Sequence, residues 1–318
     1  MQTFIVTGGA GFIGSHLCAE LLKSGDFVIC IDNFITGSPE NIQEFRSNPN
    51  FTFIEHDLTK PLPAIEGDID GIFHFASPAS PNKKSPKSYI AFPIETLLVN
   101  SVGTYNLLEL AREKNAKFVY ASTSEVYGNP EISPQVETYF GNVNPNGIRS
   151  VYDEGKRFGE ATIMAFVRKY DLDGRILRIF NTYGDKMQKD DGRVVSNFIV
   201  QALENSPITI FGDGTQTRSF CFVSDLVDGI LEFMKRDGLK GEVVNLGNPE
   251  ERTVKELAEI VKKLTNSSSE ILFEELPEDD PMKRRPDISK AQKLLEFSPK
   301  VSIEEGLIKT IEYFQTKT

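Results

Sequence analysis

Tyr152 and Lys156 stand four residues apart in a stretch of helical periodicity, so their side chains share one helix face. An ammonium beside a phenol favours the phenolate and lowers the tyrosine pKa from about 10. That makes a general base for a hydroxyl proton near neutral pH. Near the start of the chain, Gly8, Gly11 and Gly14 are spaced three apart, after four β-favouring residues and before the helical pattern of Ile13, Leu17 and Leu21. Such glycines permit a tight turn, a close approach of backbone to a pyrophosphate and tight packing of helix on strand. The helix N-terminus then offers free N–H groups to phosphates. Asp32 closes the next apolar run, 18 residues past Gly14. A carboxylate there accepts from a ribose 2′-hydroxyl and repels a 2′-phosphate. With Asn33 behind it and no arginine following, the cofactor expected is NAD.

These residues need a scaffold that brings them together. Apolar runs at 4–7, 27–31, 51–55, 71–76, 118–121 and 175–179 alternate with helical patterns at 15–23, 93–114 and 151–169. This alternation predicts an α/β fold, a doubly wound, Rossmann-type parallel sheet with helices on both faces. Ligands on such sheets sit beyond the carboxyl ends of the strands. Asp32, Asp57, Ala76-Ser77, Thr123 to Glu125, and Asn181 are therefore the strand-end residues to watch. Past Asn181 the pattern changes. Residues 184–193 read as loop, 194–204 as helix, 208–211 and 220–223 as strands, 253–264 and 301–314 as helices. The expected division is residues 1–182 as the dinucleotide-binding domain, with segments near 216–246 returning to it, and 183–318 mainly as a smaller C-terminal α/β substrate-binding domain.

Composition narrows the function. The chain has 318 residues, 39% hydrophobic and 25% charged, with net charge −11. The only basic cluster is Lys283-Arg284-Arg285, so nucleic-acid binding is not expected. No apolar run reaches the length of a membrane span, and the N-terminus enters a strand without a signal-peptide pattern. Cys18, Cys30 and Cys221 are odd in number, lack CxxC spacing and read as small buried hydrophobes of a reducing, cytoplasmic compartment. His16, His56 and His74 show no ligand spacing, so no metal site is expected. His74, at the end of an apolar run, reads as a satisfied core histidine.

Gly8-Gly-Ala-Gly-Phe-Ile-Gly14, Thr123, Tyr152 and Lys156 resemble the extended short-chain dehydrogenase/reductase superfamily, within the NAD-dependent epimerase/dehydratases. Longer strings resemble its UDP-glucuronate decarboxylase branch. They include Ala76-Ser-Pro-Ala-Ser-Pro81, Ala121-Ser-Thr-Ser-Glu-Val-Tyr-Gly128, Tyr152-Asp-Glu-Gly-Lys-Arg157, Asp191-Gly-Arg-Val-Val-Ser-Asn-Phe198, Gln216-Thr-Arg-Ser-Phe220, and Asp279-Asp-Pro281 with Arg285-Pro-Asp-Ile288. The resemblance implies NAD consumed and regenerated in each turnover, a nucleotide-sugar substrate, and a homodimer formed by pairing the helices at 101–114 and 151–169. It implies a cofactor site of Gly8, Gly11, Phe12, Ile13, Gly14, Asp32, Asn33, Asp57, Leu58, Phe75, Ala76, Ser77, Asn100 and Thr182, with Thr123, Tyr152 and Lys156 at its reactive end. Catalysis would fall to Tyr152, Lys156, Thr123, Ser124, Glu125 and Arg284. Substrate would be held by Asn181, Arg193, Arg218, and Arg284 or Arg285. Glu125 beside the Ser124 hydroxyl resembles the decarboxylases, where similar dehydratases carry Asp-Glu.

Two departures accompany the resemblance. Leu98-Val99-Asn100 stands where relatives usually show Lys-Thr-Asn, and residues 82–92 form a longer stretch with three extra lysines, Lys83, Lys84 and Lys87. One of these lysines is expected to supply the missing charge. The departures leave open another nucleotide-sugar epimerase or decarboxylase with a different sugar. A protein that binds NAD or a nucleotide sugar without turnover would be free to lose Tyr152 or Lys156, and this chain has both.

Overall fold

The structure, a computed structural model, describes residues 1–275 and 283–317, so the Asp279-Asp-Pro281 string lies outside the described residues. Its central sheet has seven strands: β1 Thr3–Thr7, β2 Phe27–Asp32, β3 Phe51–Glu55, β4 Gly71–His74, β5 Lys117–Thr123, β6 Gly174–Ile179 and β7 Val243–Leu246. All pair in parallel, in the order β7-β6-β5-β4-β1-β2-β3. The order reverses between β1 and β4, which opens the crevice where doubly wound sheets bind ligands.

Side chains along each strand alternate between two cores, as the two-residue period requires. Phe4, Val6, Phe73, Val119 and Leu177 face one cluster. Ile5, Ile72, Phe118, Tyr120 and Ile176 face the other. Helix α1 (Phe12–Lys23) contributes Leu17, Cys18 and Leu21 to the first cluster. The opposite face is covered by α2 (Pro93–Leu98), a π-helical turn Val99–Gly103, α3 (Thr104–Lys114) and α4 (Ser150–Tyr170). Then follow α5 (Val194–Leu203), α6 (Val223–Lys235), α7 (Val254–Leu264), α8 (Ser289–Leu295) and α9 (Ile303–Gln315).

Residues 220–223 differ from expectation. Only Cys221–Phe222 is extended, paired with Thr182–Tyr183, and α6 begins at Val223. The apolar stripe Val223, Leu226, Val227 and Ile230 is buried at helical spacing, and this outweighs the local β propensity. Nearby, Thr217–Ser219 lies between Glu251–Thr253, antiparallel, and Lys283–Arg284, parallel. That small sheet carries two arginines toward the end of β5. Among the described residues no helix is long and apolar enough to cross a membrane.

Candidate active site

The glycine loop is built as its spacing requires. Gly8 has φ +72, and a Cβ there would lie 2.7 Å from Ala76 N. A Cβ on Gly14 would lie 2.1 Å from Gly8 O, so α1 can sit this close to the loop only without a side chain. The helix starts at Phe12 with no side-chain cap, leaving its first N–H groups for an anion. Asp32 ends β2 and accepts from Ala10 N (3.0 Å) and Phe34 N (2.8 Å). Burial raises its pKa, and these N–H groups oppose the rise. Phe12, Ile13, Asn33, Asp57, Leu58, Phe75, Ala76, Ser77 and Thr182 line the same cleft of about 480 Å³. Asn100 is buried behind the wall in the π-helical turn. Its Nδ2 donates to Ser77 Oγ (2.9 Å), and its Oδ1 accepts from Tyr120 (3.0 Å). A glycine cradle, an uncapped helix start and a ribose carboxylate fit a dinucleotide without a 2′-phosphate.

At the other end of the cleft, Thr123 ends β5 and Tyr152 lies in the first turn of α4. The Tyr152 phenol hydrogen-bonds the Thr123 side chain. Lys156, one turn on, donates to Ala121 O (2.7 Å) and lies 5.7 Å from the centre of the Tyr152 ring. The electrostatics correct the expectation drawn from spacing. Burial, with Glu125, pushes the Tyr152 phenol up, and the Thr123 hydrogen bond and Arg193 only partly offset this. Burial also brings Lys156 down to about 7, with Glu160 opposing the fall. His74 is a satisfied core histidine. Its two nitrogens meet Thr7 Oγ1 (2.9 Å) and Thr104 Oγ1 (3.1 Å), and burial, then Lys156, pushes its pKa down to about 3.

Beyond Thr123 lies a buried charged cluster that meets the cleft at Ser124 and Glu125; Arg218 and Arg284, expected to hold substrate, do not themselves line the cleft. Glu125 is held between the guanidiniums of Arg149 and Arg284. Burial opposes its charge, yet Arg149 and Arg284, with Arg218 beyond, hold its carboxyl down to about 2. Arg284 also reaches Ser124 Oγ (3.4 Å) and Gly128 O (3.2 Å). It pairs in register with Arg218 across the small sheet, and both residues are buried. Arg285, expected to share this site, instead donates to Pro249 O (3.1 Å) and pairs with Glu251 (3.5 Å). Neighbours in a strand point to opposite faces, so only one of the two can reach Glu125. Arg193 lines the cleft with Asn181 and donates from Nε and Nη2 to the two carboxylate oxygens of Asp191 (2.6 and 2.7 Å). Of the three extra lysines, Lys87 lines the cleft; Lys84 pairs outside it with Glu274 (3.7 Å), and Lys83 is exposed.

Sequence reasoning passed over three residues. Arg149 lies one turn before Tyr152, a spacing that could have marked it. Asp153 is buried beside the Glu125 cluster, and burial, then Glu125, pushes its carboxyl up to about 8. Tyr89 stacks on the Tyr152 ring, centres 4.9 Å apart and planes 5° from parallel. It is 63 residues away in sequence, and no local pattern points to it.

Fold and site together define a dinucleotide-dependent enzyme of nucleotide-sugar type. Residues 4–247 match the NAD dependent epimerase/dehydratase family, and the chain belongs to that family. It is 51% identical to UDP-glucuronic acid decarboxylase 2 of Arabidopsis thaliana, over 98% of this chain and 68% of that protein. It is 49% identical to UDP-glucuronic acid decarboxylase 1 of Danio rerio, over 98% of this chain and 72% of that one. Among solved structures it resembles the UDP-glucuronic acid 4-epimerase from Bacillus cereus in complex with UDP-glucuronic acid and NAD, with TM-score 0.87 and 32% identity over the whole of both chains.

Proposed function

We propose that the protein is an NAD-dependent UDP-glucuronate decarboxylase that forms UDP-xylose through a 4-keto sugar. The observation that carries this reading is Glu125, fixed between Arg149 and Arg284 at the end of β5, one residue past Ser124 and next to the Tyr152–Thr123 pair. Bound NAD supplies a two-electron acceptor that is restored within each cycle, and a positive charge that favours the phenolate. Tyr152 takes the proton of the sugar 4-hydroxyl as that carbon becomes a ketone. The C5 carboxylate is then a β-keto acid, and carbon dioxide leaves as the electrons flow into the ketone. Tyr152 and Thr123 donate to the resulting enolate oxygen; a proton taken up at C5, then return of the two electrons to C4 with Tyr152 giving back its proton, would give UDP-xylose. Arg284 and Arg218 attract the acid, while Glu125 offsets part of their charge. The partial offset limits how strongly the carboxylate is held before it is lost. Asn181 and Arg193 hold the diphosphate.

Incubation with UDP-glucuronate tests this directly. Carbon dioxide and UDP-xylose by mass are the expected products. A C4 epimer of unchanged mass would assign epimerisation instead, and an unchanged sugar with bound NAD would leave a binding protein.

The protein acts as a homodimer through α2, α3 and α4, which lie side by side. Leu107 and Phe166 are spent on the sheet, but Val102, Tyr105 and Phe158 remain exposed. A second copy covers these apolar groups. Tyr105→Asp combined with Phe158→Asp is expected to sediment as a monomer. A wild-type chain already monomeric at micromolar concentration would refute the dimer. The free, buried thiols of Cys18, Cys30 and Cys221 suit a cytoplasmic setting.

A further inference from the structure

Between β4 and α2 the chain runs across the mouth of the cleft before it turns into the helix. One end of this detour is tied down near the catalytic tyrosine. Tyr89 N donates to Ser80 O (3.0 Å), and the Tyr89 ring stacks on Tyr152. The other side is pinned to the loop before α5. Asn82 Nδ2 donates to Gly192 O (3.2 Å), and Ser85 Oγ donates to Asp190 O (2.6 Å). The Lys87 ammonium donates to Gln188 Oε1 and lies 3.7 Å from Asp190. Gln188 in turn donates from Nε2 to Thr36 O (2.8 Å). Thr36 precedes a segment seated on the glycine loop: Ser38 N donates to Ala10 O (2.9 Å), and a Cβ on Gly37 would lie 3.2 Å from Ala10 C. A hydrogen-bonded line, Lys87 to Gln188 to Thr36, therefore crosses from the β4 side of the crevice to the β2 side, over the glycine loop. All three residues line the cleft.

We propose that residues 82–89 form a strap over the cofactor's diphosphate, that Lys87 supplies the strap's cation, and that the strap must lift before NAD can leave. The inference rests on the cofactor part of the functional reading and not on the identity of the sugar. The anchor on Thr36 decides between the two diphosphates in the cleft. It ties Lys87 toward the segment seated on the glycine loop, whereas Arg193, assigned to the sugar's diphosphate, is held separately by Asp191. The strap has a chemical purpose. Electrons taken from the sugar must be returned to the same molecule, and a cofactor that left in mid-cycle would carry them away.

The test is the release rate of NAD from the loaded protein, chased with excess unlabelled NAD. Lys87→Met is expected to release NAD roughly tenfold faster, the scale of one hydrogen bond to a charged group. The difference should shrink at high salt, because a half-exposed cation is screened. Lys87→Arg should stay within about twofold of wild type, since the charge and the donors are kept. Asn82→Ala with Ser85→Ala keeps Lys87 but unpins the strap, and should also speed release. An unchanged melting temperature of the NAD-free variants shows that the fold is intact. Wild-type release from Lys87→Met would overturn the proposal. So would a normal NAD rate with weakened binding of UDP, which would move the cation to the sugar's diphosphate. Turnover of UDP-glucuronate is measured in parallel: if release responds but no carbon dioxide forms, the strap stands and the sugar assignment falls.

Discussion

Tyr152→Phe lowers kcat by roughly a thousandfold and leaves NAD bound, within the range for loss of a positioned general base. The ring remains, so its stacking on Tyr89 and its place in the first turn of α4 are kept. The variant loses the oxygen that hydrogen-bonds Thr123 and accepts the sugar proton. Burial and the nearby Glu125 charge already push that phenol up, so the apoprotein holds it protonated. On the proposed mechanism the Thr123 hydrogen bond, and the charge NAD would bring, must assist Lys156 in favouring the phenolate. Thr123→Val is accordingly the informative companion: it removes the hydrogen bond that stabilises the phenolate. Near-normal kcat in Tyr152→Phe, with NAD still retained, would remove the assigned base.

Arg284→Ala lowers kcat/KM for UDP-glucuronate by about a hundredfold or more, as expected for a buried, charge-assisted contact. Two losses combine. On the proposed reading the sugar's carboxylate loses a guanidinium, and Glu125 loses one of the two arginines seen paired with it. The Glu125 carboxyl then rises from about 2. Lysine at position 284 restores the charge but not the fork that spans Glu125, Ser124 and Gly128, so it recovers only part of the loss. UDP-glucose, which has no carboxylate, separates the roles. If its binding is unchanged in Arg284→Ala, the arginine serves the acid. An equal loss for both nucleotide sugars would place Arg284 at the diphosphate.

What could be read in the chain, and what could not, divides by range. Gly8, Gly11, Gly14 and Asp32 were legible because a phosphate turn and the following strand end are local constructions. Tyr152 and Lys156 were legible as one face because a helix repeats every 3.6 residues. Their charge states were not, because burial comes from elements far away in sequence. Arg149 stood within reach of pattern reasoning. Tyr89 did not, since its partner is brought to it only by the crossing from β4 to α2.

The amino-acid order alone determined a parallel α/β sheet, the dinucleotide turn, and which hydroxyls and carboxylates end the strands, since each follows from short-range periodicity. Folding decided which of two adjacent arginines meets Glu125. The pairing of Lys283–Arg284 with Thr217–Ser219 turns Arg284 inward and sends Arg285 to Glu251. It also decided that Lys87, rather than Lys83 or Lys84, faces the cleft. Direction and desolvation are properties of neighbours, and the neighbours of a side chain are set by contacts made across the whole chain.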